Sequence, residues 1–118
     1  MAFRFENLDI WKDSNKFVDK IYKVSKTFPR EELFSLTDQL KRSASSVSAN
    51  IAEGSGSSSK KDFSHYLDIS IKSIFETISH LYLAKQQNYI SDKIRQELYD
   101  EAEVLVKKIQ SFKKWLNK

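Results

Sequence analysis

Several residue types are scarce in this chain of 118 residues, and each shortage excludes a class of protein. There is no cysteine, which excludes a disulfide framework, a thiolate metal site and a catalytic cysteine. One proline and two glycines leave few turn residues, and the composition favours helices. No run of about 18 apolar residues occurs, and MAFRFENLDIW lacks the apolar region of a signal peptide. We therefore expect one cytoplasmic domain with no membrane span, since domains cluster at about 100–150 residues.

Positive charge is concentrated in one segment, although the formal net charge of the chain is only +4. The segment KKIQSFKKWLNK has no acidic residue and contains Lys107, Lys108, Lys113, Lys114 and Lys118. Lysines in such a cluster can neutralise the phosphates of RNA or DNA. They can equally stabilise a helix C-terminus by complementing the helix dipole. Both interpretations stay open at this point.

Hydrophobic periodicity predicts an all-α protein, because apolar residues recur at spacings of three and four and no strand-like alternation is present. The four predicted helices cover about residues 8–28, 35–53, 59–87 and 92–117. Asn7 is expected to cap the first helix, and SLTD and SKKD resemble capping boxes that begin at Ser35 and Ser59. Gly54 and Asn88 are expected to end the second and third helices, Gly54 in the left-handed conformation.

Three of the predicted helices have apolar faces that suggest how the chain packs. The second has one narrow face, formed by Leu36, Leu40, Ala44, Val47 and Ile51. The fourth has the seam expected in a helix bundle, formed by Ile94, Leu98, Ala102, Leu105, Ile109, Phe112 and Leu116. Apolar residues cover about half of the third helix, including Phe75 and Tyr82, and Ile69 and Leu83 lie on its far side. Two such faces favour packing in two directions, and we therefore expect self-association.

A polar stripe runs along the second helix, opposite its apolar face. Its members are Gln39, Arg42, Ser46, Asn50 and Glu53. This mixture of amide, hydroxyl and opposite charges can satisfy its own hydrogen bonds when partly buried, although an ordinary water-facing surface explains it too. If the stripe is buried, Arg42 should pair with Glu53 or Glu76. Asn50 should then bond across an interface or to the following loop.

The residues needed for catalysis or metal binding are not grouped in the sequence. A di-iron bundle needs glutamates on two helices and a Glu-x-x-His pair on each of the others. Here the one close pair is Glu76 and His80, four residues apart. The segment GSGSSSKK lacks the strand and spacing of a phosphate-binding loop. We therefore expect no enzymatic activity and no metal or cofactor.

Three segments of the chain carry a resemblance to a known family. LDIW, FPREELFSLTDQLKRSASSVSANIAEGSG and YLDISIKSIFE are similar to the S23 proteins, also called 23S rRNA intervening-sequence proteins. That family is related to the accessory variability proteins of diversity-generating retroelements. Family residues are matched by Gln39, Arg42, Ser46, Asn50, Glu53, Gly54, Ser73 and Glu76. The chain departs from the pattern at Ser48, Ser57 and Lys72, where many members have Pro, Arg and Gly.

The resemblance implies an up-and-down antiparallel four-helix bundle that assembles into a homo-oligomeric ring, typically a pentamer. Family genes often lie inside insertions in ribosomal RNA genes, and the retroelement relatives are basic barrels that work with a reverse transcriptase and RNA. Two hypotheses follow for this chain. In the first it is an RNA- or DNA-binding accessory factor that works with a nucleic-acid-processing protein. In the second it is a protein-interaction scaffold whose charge only keeps it soluble.

Overall fold

The computed structural model describes residues 2–118, which form four long α-helices and two short 3-10 helices. The α-helices are α1 (Asp9–Ser25), α2 (Leu36–Ser55), α3 (Lys60–Gln86) and α4 (Asp92–Leu116), and the 3-10 helices are Arg4–Asn7 and Arg30–Glu32. No strand occurs within the described range, so the predicted all-α class is confirmed. No helix in that range has both the length and the apolar character needed to cross a membrane.

The helices are arranged as an antiparallel four-helix bundle. Each helix packs against the next one in sequence, and α4 packs against α1, whereas the diagonal pairs make no contact in the part of the chain that the structure describes. The connections between α2 and α3 and between α3 and α4 contain only residues 56–59 and 87–91. Connections this short require neighbouring helices to run in opposite directions.

The core contains most of the residues that periodicity predicted. All five apolar residues of the predicted α2 face are buried. On α4 the prediction was wrong at Ile94, which is exposed, while Arg95 beside it is buried. The Arg95 guanidinium lies 4.6 Å from the ring centroid of Tyr82 and donates to Asp92 at 2.8 Å. This cation–π contact and ion pair allow a charged side chain to take a core-facing position.

The wide apolar band of α3 is only partly covered. Phe75 and Tyr82 belong to this band, and Phe75 is 67% exposed while Tyr82 is 45% exposed. The reason is geometric, because α3 has only α2 and α4 as neighbours and its apolar band is wider than their two contacts cover. An apolar surface therefore remains open along α3.

Of the five expected helix caps, two are confirmed and three are wrong. The Ser59 hydroxyl accepts a hydrogen bond from the Asp62 amide at 3.0 Å, as expected. Asn88 has a φ of 62°, the left-handed conformation that follows a helix end. Asn7 instead ends the first 3-10 helix, and α1 begins after Leu8 without a side-chain cap. Ser35 precedes α2, but its hydroxyl accepts no capping hydrogen bond, and the Leu36 amide donates to the Glu32 carboxylate at 3.2 Å.

The role expected for Gly54 was also wrong. Neither glycine has a positive φ, and α2 continues through Gly54 to Ser55. A Cβ added at Gly54 would lie 2.7 Å from Cβ of Tyr66 and 2.8 Å from Cδ1 of Phe63. Glycine is therefore required here because the end of α2 approaches the beginning of α3 too closely for any side chain.

Serine and threonine hydroxyls continue this close contact along α2 and α3. The buried Ser70 hydroxyl donates to the Val47 carbonyl at 2.8 Å, directly from α3 to the backbone of α2. Farther along the same contact, the hydroxyls of Thr77 on α3 and Ser43 on α2 lie 2.9 Å apart and are also buried. Small side chains bring the two helices together, and their polar groups are satisfied across the contact.

We predict that Gly54→Ala destabilises the fold by about 1–3 kcal/mol, because the new methyl group overpacks a contact made by atoms near the backbone. Urea unfolding followed by circular dichroism measures the loss. Gly56→Ala is the matched control, since a Cβ there lies 3.4 Å from the Glu53 carbonyl oxygen, an ordinary contact. The control should be neutral or should stabilise by up to about 1 kcal/mol. Equal effects at both positions would contradict the close-contact explanation.

Candidate functional site

Two surfaces contain most of the residues that the sequence singled out. The first, which we call the polar seam, lies along α2 and α3 and is formed by Gln39, Arg42, Ser46, Asn50, Glu53, Ser73 and Glu76. The second, which we call the basic end, lies where the end of α4 meets the first half of α3, and is formed by Lys60, Lys72, Lys113, Lys114 and Lys118.

Three members of the polar seam are joined by hydrogen bonds. The hydroxyls of Ser46 and Ser73 lie 3.0 Å apart, which links α2 to α3. The Asn50 side-chain amide donates to both the carbonyl and the hydroxyl of Ser46, each at 2.8 Å. Asn50 therefore satisfies itself within α2, and its expected bond across an interface or to the following loop is not the one observed. Ser73 therefore faces α2.

The expected pairing of Arg42 was wrong. Its guanidinium donates to Asp38 at 2.8 Å, one turn earlier on α2, and its side chain is 79% exposed. The separation explains the error for Glu53, because eleven residues of helix extend about 16 Å, beyond the reach of an arginine. Glu76 lies 3.8 Å from His80 on its own helix. Gln39 and Glu53 are exposed, and Gly54 is buried in the contact with α3.

Metal binding finds no support in these positions. The structure, over the residues that it describes, contains no group of three or more His, Asp or Glu side chains placed around a common point. The Glu76 and His80 pair stands alone on α3, where it forms an ordinary contact between side chains four residues apart.

The five lysines at the end of the sequence do not form one uniform surface. The Lys113 ammonium donates to both carboxylate oxygens of Asp68, at 2.8 and 3.0 Å. Lys108 donates to Asp13 at 2.9 Å, from α4 to α1. Lys107 lies along a groove between α3 and α4, and Lys114 and Lys118 are exposed. The folded chain thus divides this sequence cluster among three neighbourhoods.

Lys108 is better explained as a structural residue of the α1/α4 contact. Its hydrogen bond and charge interaction with Asp13 raise the pKa of Lys108 above its ordinary value. Lys20 donates to Glu101 across the same pair of helices at 2.8 Å, and this bond likewise raises the pKa of Lys20. Both lysines therefore stay protonated at neutral pH, with a carboxylate already beside them.

The basic end includes lysines from α3 that sequence reasoning did not connect with the tail. Lys72 and Lys114 line the same open groove of about 680 Å³, together with the paired Lys113 and Asp68. Gln110 and Asn117 add two side-chain amides to its wall. Lys60 donates to the carbonyl of Lys118 at 3.4 Å, which brings the start of α3 to the end of α4. The antiparallel order of the predicted helices could have indicated that the start of α3 lies beside the end of α4.

Two aromatic residues, Phe112 and Trp115, flank Lys113 and Lys114 in the sequence of α4. Phe112 packs against the buried Phe63, and Trp115 packs against Phe112, each with ring centroids 5.5 Å apart. Trp115 is 60% exposed, whereas Phe112 is half-buried. One tryptophan therefore lies open to solvent between Lys114 and the end of the chain, a position from which it can stack on a nucleic-acid base.

We predict that Arg42→Ala changes the free energy of unfolding by less than about 1 kcal/mol, because an exposed ion pair between residues four apart contributes little. Ser43→Val, on the buried side of the same helix, is the comparison and should cost about 1–3 kcal/mol through overpacking. Both values come from urea titration. A loss above about 3 kcal/mol for Arg42→Ala would show that the arginine is buried in solution.

Comparisons with known proteins agree with this architecture. The family model of the 23S rRNA-intervening sequence protein matches residues 6–111. A crystal structure from Bacteroides thetaiotaomicron VPI-5482, described as a protein with unknown function from the S23 ribosomal protein family, superposes with a TM-score of 0.81. It is 27% identical, and the match covers 89% of this chain and 98% of that one. None of the curated proteins compared with the chain matches it.

The family match spans nearly all of the chain and includes the polar seam, the contact between α2 and α3, and most of α4. The structural likeness also covers most of the chain. The chain therefore belongs to the family of 23S rRNA-intervening sequence proteins.

Proposed function

We propose that this protein is a non-enzymatic, self-associating, cytoplasmic accessory factor that binds the phosphate backbone of RNA through the basic end. The observation that carries the proposal is the groove in which Lys72, Lys113 and Lys114 meet a single carboxylate, that of Asp68. Ammonium groups and side-chain amides are donors that bind phosphate oxygens. The excess of lysine over acid gives this groove the electrostatic character of a phosphate-binding surface.

RNA is preferred over DNA for two reasons. The family description refers to a sequence within 23S rRNA, which connects its members with RNA. Trp115, which follows Lys114 in sequence, is exposed, and its ring suits unstacked bases, which single-stranded RNA offers and a duplex does not. The proposed contacts are made to phosphate oxygens, which carry no sequence information, so the proposed binding has little sequence preference.

Self-association strengthens this proposal. Each added copy repeats the basic end, and several weak sites on one assembly bind a long strand more tightly than one site does. A homopentamer is the form that the family resemblance suggests, and a nucleic-acid-processing protein is the class of further partner that it suggests. The open apolar surface of α3, which includes Phe75, supports contact between copies.

A protein-interaction scaffold is the second candidate function. It is favoured by a different observation, namely the exposure of the large apolar side chains Phe34 and Phe75. A scaffold would use these surfaces for other proteins, and the lysines would have no ligand.

We predict salt-dependent RNA binding that depends on the free lysines of the basic end. Replacing Lys72, Lys114 and Lys118 by Gln should reduce the slope of log affinity against log salt by about 2, at about 0.7 per phosphate contact with a single strand. Lys108 and Lys113 are left unchanged because each already pairs with an aspartate. Fluorescence anisotropy with a labelled single-stranded RNA at several salt concentrations measures the slope.

The matched control replaces three lysines by Gln, namely Lys12 and Lys16 on α1 and Lys26 directly after it. This change removes the same amount of charge from another part of the surface. The control should keep the wild-type slope. If the control loses the slope and the basic-end variant keeps it, the RNA-binding surface lies on α1. If the wild-type protein does not bind RNA even at low salt, the scaffold function is the better explanation.

A further inference from the structure

The connection between α1 and α2 holds one apolar side chain out in water. Phe34 is 92% exposed, the highest value among the large hydrophobic residues of the described chain. Leu33 beside it is 47% exposed. An almost fully exposed phenylalanine keeps a large apolar surface in contact with water, which is unfavourable. The bundle covers very little of the Phe34 side chain, so any surface that covers the rest belongs to another molecule.

Hydrogen bonds fix the backbone on both sides of Phe34. The Glu32 carboxylate accepts from the Leu36 amide at 3.2 Å and from the Tyr89 hydroxyl at 3.1 Å. The Ser35 amide donates to the Glu32 carbonyl at 2.9 Å, which closes a turn around Leu33 and Phe34. The turn is thus attached both to α2 and to the connection before α4. Phe34 projects from a preorganised element, which reduces the entropy lost when it binds.

A groove of suitable chemistry lies on another face of the same chain. It has a volume of about 370 Å³, runs between α3 and α4, and is lined mainly by Phe75, Ile78, Tyr99, Ala102 and Val106. Its apolar wall is the part of the α3 band that α4 leaves uncovered. The Phe34 of the same chain does not fill it, because that side chain is almost fully exposed.

Charges beside the turn and beside the groove are complementary. Arg30 and Glu31 precede Phe34, and Glu103 and Lys107 lie at the edge of the groove. Within residues 2–118 none of these four side chains takes part in an ion pair. A second copy of this chain therefore offers the apolar Phe34 side chain together with one cation and one anion. The groove has apolar walls and one residue of each charge to pair with them.

We propose that Phe34 of one copy inserts into the α3/α4 groove of the next copy. The two surfaces differ, so the contact is head-to-tail, and each copy uses one projection and one groove. Repetition of this contact builds a ring if the rotation closes and an open chain if it does not. The inference rests on the proposed self-association and names the residues that produce it.

The test begins with two variants that each remove one half of the contact. Phe34→Ala removes the projection, and Phe75→Glu places a charge in the groove at a position already 67% exposed. Each should raise the concentration at which half of the protein is assembled by at least tenfold, as measured by light scattering after gel filtration. Phe3→Ala and Val104→Glu make the same changes at exposed positions outside the contact and should leave assembly unchanged.

Mixing the two defective variants distinguishes a head-to-tail contact from a symmetric one. Phe34→Ala keeps an intact groove and Phe75→Glu keeps an intact projection, so one such contact can form between them. We expect the mixture to form a dimer of about twice the 13.8 kDa chain mass, while each variant alone stays a monomer. Lys107→Glu is a second groove variant that leaves the apolar side chains in place, and it should weaken assembly in the same direction.

Each outcome separates the inference from the proposed function. An assembled wild type whose mass is unaffected by Phe34→Ala overturns the inference and leaves self-association standing. The absence of a dimer in the mixture also overturns it, because the groove is then not the surface that receives Phe34. A wild type that is monomeric at about 100 μM, where an association of micromolar Kd would be nearly complete, overturns both the inference and the proposed self-association. RNA anisotropy on the same monomeric variants tests the basic end separately.

Discussion

The close contact between α2 and α3 is the constraint on which the rest of the structure depends. Gly54 allows the end of α2 to touch Phe63 and Tyr66, and Ser70 reaches the backbone of α2 through its hydroxyl. With α2 occupying one side of α3, only α4 is available to cover the other. The apolar surface around Phe75 therefore remains open because α2 packs closely against one side of α3 and does not cover Phe75.

The helices and the core face of α2 could be predicted from the sequence because both follow from local periodicity. The reason for Gly54 could not, since glycine serves equally well for a left-handed turn and for a close contact, and only the position of α3 decides between them. Arg42 was misassigned for a related reason. A nearby carboxylate on its own helix, that of Asp38, satisfies it before any distant partner can.

The lysines show that a cluster in the sequence differs from a cluster on the surface. Lys108 and Lys113 are adjacent to other lysines along the chain, yet each donates to an aspartate of a different helix. Lys72 is far from the tail in sequence and shares a groove with Lys114. Antiparallel packing thus brings together residues that are far apart in sequence and gives adjacent residues different surroundings. The sequence could place the candidate site near the end of α4, but only the fold shows which residues form it.

The two proposed surfaces are connected by their position on the same pair of helices. Gln110 lines both the groove at the basic end and the apolar groove that is proposed to receive Phe34. A neighbouring copy seated on the apolar groove would therefore lie beside the groove that is proposed to bind phosphate and would narrow its open side. Since partial exclusion of water strengthens the attraction between lysine and phosphate, assembly would increase the RNA affinity of each site as well as the number of sites. Self-association and RNA binding would then be coupled through α3 and α4, with Gln110 at the boundary between them.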